Sequence, residues 1–303
     1  MDDKTIERLS KCPLCKSGLF LNASEVKDHA VSKELFIVCK CTNCEVQFTN
    51  PRPKSDHIGR YYDFPEYYSH DDSAKNLTQL IYQSIRKIAI KRKVALINSL
   101  VQEKGKLLDY GCGTGEFLNQ AKIEGWNVSG FEPNEKASKL ASQKIFKKIF
   151  SELDDLDSNR SFDVITLFHV LEHVHKLRKT VKSLLKSLKP TGYLLIAIPN
   201  PESYDAKKYG DSWAGWDVPR HLYHFNSDAM KSFQEVFDLK LVDLKKMPFD
   251  SYYVSLLSES NKNPSASKLL NYWNATSSGF KSNKSAKGKA GNYSSNIYIF
   301  KKK

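Results

Sequence analysis

The chain has 303 residues, 40% of them hydrophobic and 27% charged, and a net charge of +13. That length buries a substantial core in one main domain with attachments, and no run of 18 apolar residues is present to suggest a membrane span. The positive charge is concentrated: residues 261–303 hold nine Lys and no Asp or Glu, leaving only +4 on the first 260, so no specific nucleic-acid partner is expected.

The start, MDDKTIERLS, is polar and unlike a secretory leader, and a cytoplasmic location is expected. Five of the six cysteines then fall within residues 12–44. Cys12-Pro-Leu-Cys15 and Cys41-Thr-Asn-Cys44 are two C-x-x-C knuckles, the spacing of a four-cysteine zinc ribbon over residues 1–55. Cys39 is spare, because C-x-C is the poorer knuckle. A closed site of four thiolates leaves no open coordination position, so the Zn2+ expected there is structural. Residues 56–104 form an aromatic linker, with Tyr61, Tyr62, Tyr67 and Tyr68, and then an amphipathic helix. The tyrosines suit packing between modules or a lid over a ligand.

The third region, 105–303, opens on KLLDYGCGTGEFL. A short apolar run enters the turn Gly111-Cys112-Gly113-Thr114-Gly115, a helical segment follows, and a second strand ends in Glu132. Strand, glycine turn, helix, strand, acid is the layout of a nucleotide-binding βαβ unit. Strands are expected near 106–110, 126–131, 145–150, 163–168 and 192–198, with helices near 115–124, 134–142 and 176–188. This alternation predicts an α/β fold with a parallel sheet covered by helices on both faces. Residues 227–237 read as a helix introduced by Ser227 and Asp228, and 238–246 and 293–301 as strands. Residues 261–291 are rich in Ser, Lys, Asn and Gly and read as a flexible insertion.

Asp109, the three glycines, Glu132-Pro133 and FDVITLFHVLEHV at 162–174 together resemble the class I S-adenosylmethionine-dependent methyltransferases. The resemblance implies a Rossmann-like, seven-stranded methyltransferase sheet closed by an antiparallel hairpin, with S-adenosyl-L-methionine as cofactor. It implies that Gly111, Gly113 and Gly115 approach the methionine portion and that Asp109 meets the ammonium. Glu132 would take the ribose hydroxyls. Ser151, Glu152 and Leu153 would lie by the adenine, and Phe168 and His169 would line the methionine and sulfonium. Cys112 is read as a packing residue.

Methyl transfer to a hydroxyl or carbon acid needs a base, and histidine is the obvious type. Two groups stand out: His169, His173 and His175, and then His221 and His224 in WDVPRHLYHF. The latter segment resembles one methyltransferase subgroup (methyltransferase-23-like), whose members often carry an N-terminal zinc ribbon. His221 and His224 are therefore the candidate catalytic residues, and a small-molecule acceptor is expected: a sugar, a lipid-linked compound or a secondary metabolite. Two other readings compete: an RNA or protein methyltransferase gripping its polymer with ribbon and lysines, and a non-catalytic scaffold or cofactor sensor. Base-amino methylation is disfavoured, because LFHVLEH stands where an Asn-Pro-Pro-Tyr motif would be.

Overall fold

The computed structural model describes residues 4–62, 77–152, 161–288 and 291–303, with side chains described from 83 onward in the first helix. At the N-terminus β1 (Ile6–Glu7) pairs antiparallel with β5 (Arg52–Pro53). Between them, β2 (Phe20–Lys27), β3 (Leu35–Cys41) and β4 (Gln47–Thr49) form an antiparallel meander.

Helices and strands then alternate. They are α1 (Leu77–Leu100), β6 (Lys106–Tyr110), α2 (Glu116–Ile123), β7 (Asn127–Phe131), α3 (Glu135–Ile145), β8 (Phe162–Phe168), α4 (Leu177–Ser187), β9 (Leu188–Pro199) and α5 (Tyr204–Tyr209). A crossover carries β10 (Tyr223–His224) and leads to α6 (Ser227–Val236), β11 (Leu239–Lys246), α7 (Asp250–Lys262), α8 (Lys268–Ala286) and β12 (Ser295–Lys302). The first residues of α6 are capped by Asn226, whose side chain accepts from Ala229 N at 2.8 Å, one residue earlier than Ser227.

Six strands form one sheet in the order β11-β12-β9-β8-β6-β7. β7, β6, β8 and β9 are parallel; β12 runs antiparallel to β9, and β11 antiparallel to β12. Leu107, Leu108, Val164, Ile165 and Leu167 are fully buried, as strands covered on both faces require. The seventh position is held by an isolated parallel bridge from Phe131 to Phe150. Residues 145–150, expected as a strand, give only that bridge. Here α3 runs on to Ile145, and Phe146 then turns left-handed at φ 52°, which leaves little chain to extend.

Residues 261–291 correct the expectation of a flexible insertion: Lys268–Ala286 are helical and pack against α7. The contact is made by small side chains, Ser251, Ser255 and Ser258 facing Ala275, Ser278 and Ser282, all buried. A Cβ added at Gly279 would lie 2.6 Å from the Tyr252 ring, so these helices approach closely. Composition counts such residues as polar and misses a face built for close approach.

The N-terminal meander is tied to the main domain in two ways. β10 adds to β4, with Tyr223 opposite Phe48 and His224 opposite Gln47. One buried cluster also runs from Leu14, Val46 and Phe48 through Leu222 and Phe225 to Ile165 and Leu167.

Candidate active site

The four knuckle cysteines converge. Sγ atoms of Cys12, Cys15, Cys41 and Cys44 all lie within 4.8 Å of one another, with Cys12–Cys44 at 3.5 Å and Cys15–Cys41 at 3.6 Å. Thiolates at about 2.3 Å from a tetrahedral Zn2+ sit about 3.8 Å apart, so the set fits that ion. Cys39 lies outside it, its thiol directed at Asn22 Oδ1 (3.4 Å) and Asn50 O (3.7 Å).

At the carboxyl ends of β6 and β7 the glycine turn folds back on Phe131: Gly111 N and Cys112 N both donate to its carbonyl, at 2.7 and 3.0 Å. Gly111 has φ +81°, and a Cβ there would lie 2.4 Å from Val170, so the turn requires glycine. Glu132 accepts from Gly113 N through Oε2 (3.0 Å) and from Asn134 N through Oε1 (2.9 Å). Each oxygen keeps a lone pair, which suits a ribose diol. Burial pushes the Glu132 carboxyl above its usual range. Asp109 is buried, accepts from Thr166 Oγ1 at 2.6 Å through Oδ1, and is pushed up to about 6 by burial. These groups fit the cofactor named above: a paired acid for the diol and a buried acid for the ammonium. Burial raises the Cys112 thiol, which keeps it a protonated packing group.

Phe168 and His169 end β8. Lys93 of α1 places its ammonium 4.2 Å from the centre of the Phe168 ring, and Phe117 meets that ring edge-on. His169, in a left-handed conformation at φ 59°, sets Nε2 3.0 Å from Asp250 Oδ2 and Nδ1 3.7 Å from Glu172 Oε1. Burial works against its charge, but Asp250 and Glu172 hold His169 up at about 9, so it is a cation at neutral pH. Ser151 and Glu152 follow Phe150 and are exposed, next to Glu132 N, which donates to Phe150 O. Leu153, Tyr67 and Tyr68 lie outside the described residues.

Beyond His169 is a polar cluster in an otherwise apolar setting. Glu172 is 1% exposed, and both of its carboxylate oxygens lack a hydrogen-bond partner. Polar atoms of Glu172, His173 and His221 lie within 4.8 Å of one another. His173 Nδ1 lies 3.0 Å from Arg220 O and 3.0 Å from Tyr62 OH; His221 Nδ1 lies 2.9 Å from Gly215 O. A carbonyl only accepts, so both rings carry a proton on Nδ1, and His221 turns Nε2 toward Asp217 Oδ2 at 3.9 Å. His224 is buried against Trp216 with Nε2 unpartnered. Burial drives His173 down to about 4 and His224 to about 3, so both are neutral. Glu172 is held at about 2: burial opposes this, and the His169 cation beside it outweighs burial.

The loop bearing His221 and His224 is pinned by Arg220, which is 2% exposed and bonds Asp28 Oδ1 at 3.0 Å, Asp217 Oδ1 at 2.7 Å and Tyr61 O at 2.9 Å. His221 and His224 thus meet His173 and Glu172, whereas His175 points away to Pro53 O at 3.1 Å. Glu172, Asp217, Asp250 and Lys93 are site residues that the sequence reading passed over. For Glu172 a signal existed: an acid inside the apolar run FHVLEHV.

A family model described as a methyltransferase domain matches residues 82–244. The chain is similar to the ubiquinone biosynthesis O-methyltransferase of Rickettsia conorii, 30% identical over 163 residues, covering 48% of this chain and 55% of that protein. The protein of the same name from Rickettsia prowazekii is 28% identical over 183 residues, covering 56% of this chain and 71% of its own. The chain thus spans little more than half the length of the first of these relatives. Among solved structures, a SAM-dependent methyltransferase from Archaeoglobus fulgidus shares 21% identity at a TM-score of 0.49, covering 75% of this chain and 100% of that one.

Proposed function

We propose that this chain, which belongs to the methyltransferase-domain family, transfers a methyl group from S-adenosylmethionine to a hydroxyl, or the carbon beside one, on a small hydroxylated acceptor held at Glu172, His173, His221 and His224. The cofactor supplies a methyl group on a cationic sulfur. Asp109, Gly111, Gly113, Gly115, Glu132, Ser151, Glu152, Leu153, Phe168 and His169 are the residues we assign to it. The ribbon cysteines Cys12, Cys15, Cys41 and Cys44 are assigned to a structural Zn2+. The similarity to ubiquinone biosynthesis O-methyltransferases supports a lipid-like acceptor bearing a hydroxyl.

The observation that carries the acceptor reading is the buried Glu172 carboxylate, whose oxygens have no hydrogen-bond partner and which lies within 4.8 Å of polar atoms of His173 and His221. Its ion pair with His169, at 3.7 Å, leaves its oxygens without a hydrogen bond, and a buried polar atom without one is costly, so a ligand that donates to it is stabilised there. A hydroxyl has one proton to donate, which the Glu172 carboxylate or one ring Nε2 would accept at about 2.8 Å.

In this reading His221 Nε2 takes the acceptor proton. Its Nδ1–H stays on Gly215 O, and Glu172 and Asp217 stabilise the imidazolium as it forms. His224 closes the pocket behind it. His221→Gln and Glu172→Gln should each lower kcat about 100-fold or more with cofactor affinity retained. Single-turnover assays with candidate acceptors, beside calorimetry of cofactor binding, test this. Full turnover in both the His221→Gln and His224→Gln variants would leave neither histidine as the base.

A further inference from the structure

The α7–α8 hairpin is built inside out. Its buried face is mostly Ser, Ala and Gly, with Glu259 and Asn271, while large apolar side chains point to solvent: Leu269 is 82% exposed, Trp273 76% and Phe280 59%. These three, with Thr276, recur at i, i+4, i+7 and i+11, so they form one stripe along α8, bordered by Tyr272 and Leu270. An apolar stripe left to water marks a docking surface. Every charged side chain from 261 to 303 is a lysine, and Lys268, Lys281, Lys284 and Lys287 are exposed around the stripe.

We propose that this hairpin lies on an anionic lipid bilayer, with the Leu269–Phe280 stripe in the headgroup–acyl boundary and the lysines against lipid phosphates. Trp, Phe and Leu on one face with Lys beside them is the pattern of an interfacial helix. No described helix is long and apolar enough to cross a membrane, so the hairpin rests on the surface. A second copy of the chain is a poorer occupant, because pairing two stripes would bring the lysines of both copies together. Nucleic acid is poorer still, since phosphates leave Leu269 and Phe280 unserved.

The hairpin is fastened to the site. α7 begins at Asp250, the partner of His169, and Ser258 Oγ accepts from Ala214 N at 2.9 Å. Ser282 Oγ donates to Asp205 Oδ1 at 2.7 Å, and Asn261 Nδ2 to Ser212 O at 3.2 Å. These contacts anchor α7 and α8 to the crossover that leads to His221. A docked hairpin would therefore carry the acceptor site to the lipid surface and select a lipid-linked hydroxyl. That last step rests on the acceptor reading above; bilayer binding does not.

The test is co-sedimentation of the full chain with vesicles of phosphatidylcholine alone, or of equal parts phosphatidylcholine and phosphatidylglycerol, with no acceptor present. We expect most of the protein to pellet with the phosphatidylglycerol vesicles and little with phosphatidylcholine alone. The intrinsic tryptophan emission should shift to the blue, and the shift should be absent in Trp273→Phe. A Leu269→Ser/Trp273→Ser/Phe280→Ser variant should bind at least ten-fold more weakly while cofactor affinity and melting temperature stay unchanged. A Lys268→Gln/Lys281→Gln/Lys284→Gln variant should also bind more weakly and lose the salt dependence. Failure to pellet with phosphatidylglycerol vesicles overturns the proposal. So does ultracentrifugation showing a wild-type dimer that the triple serine variant abolishes. Loss of turnover in the His221→Gln variant bears on the acceptor reading alone.

Discussion

Glu132 is expected from sequence to hold a ribose, and its surroundings suit that role. An acid closing the strand after a glycine turn marks it out, and two backbone N–H groups then aim its carboxylate before any ligand arrives. Glu132→Ala should weaken S-adenosylmethionine binding by about 1–3 kcal/mol, the range for losing a charged hydrogen-bond partner; titration calorimetry of both proteins reads this directly. The expectations for Asp109 and the glycines have the same source, because each sits at a fixed offset from a strand end. Lys93 carried no such mark, and Glu172 carried only that of an acid inside an apolar run. Their importance comes from what the fold brings to them, His221 from 49 positions onward and, for Lys93 on the first helix, Phe168 at a strand end, and no local spacing encodes such meetings.

At the level of elements, the alternating strands and helices of 106–199 were legible because apolar runs and caps announce them. The α7–α8 hairpin was not, because its packing signal is the size of side chains rather than their polarity. Gly279→Leu would drive a side chain into Tyr252 and should destabilise the hairpin by about 1–3 kcal/mol, as overpacking does; hydrogen exchange at Lys268–Ala286 would register the loss. The meander behaves less independently than a ribbon of residues 1–55 suggests, because β10 completes its sheet. Replacing Cys41 and Cys44 together with Ser should release zinc and loosen β4, and with it the segment bearing His221 and His224. Turnover should fall sharply while cofactor affinity largely survives. Elemental analysis, calorimetry and an acceptor assay on the same preparation separate these effects. Wild-type protein purified without chelators and lacking about one zinc per chain would remove the basis for that expectation.

For the whole molecule, the buried histidine cluster sets how stability follows pH. His173 and His224 are neutral in the folded chain, with values near 4 and 3, but take up protons near 6.5 when unfolded. Between those values the unfolded chain binds more protons, so stability falls as pH drops below about 6.5; each histidine costs about 2 kcal/mol by pH 5. Glu172, held at about 2, contributes stability above its unfolded value and loses it as pH falls toward 2, which adds in the same direction. His169, raised to about 9, contributes fully below its unfolded value and loses its contribution as pH rises through 9. Urea midpoints should therefore peak near neutrality, decline on both sides and drop most steeply toward pH 5. A flat profile from pH 7 to 5 would mean that these rings are not buried as described.

The pairing of β10 with β4 also dictates an order of events during synthesis. Thr49 Oγ1 donates to His221 O across 172 positions, and Arg220 reaches Asp28 across 192. At about 5–20 residues per second, β4 leaves the ribosome roughly 10–30 seconds before its partner strand exists. Through that interval the meander presents an open edge, which is a template for pairing with other chains. Metal captured early by the cysteines would hold the short strands in register until the crossover arrives, so a nascent chain deprived of zinc should aggregate more readily than the finished protein stripped of it.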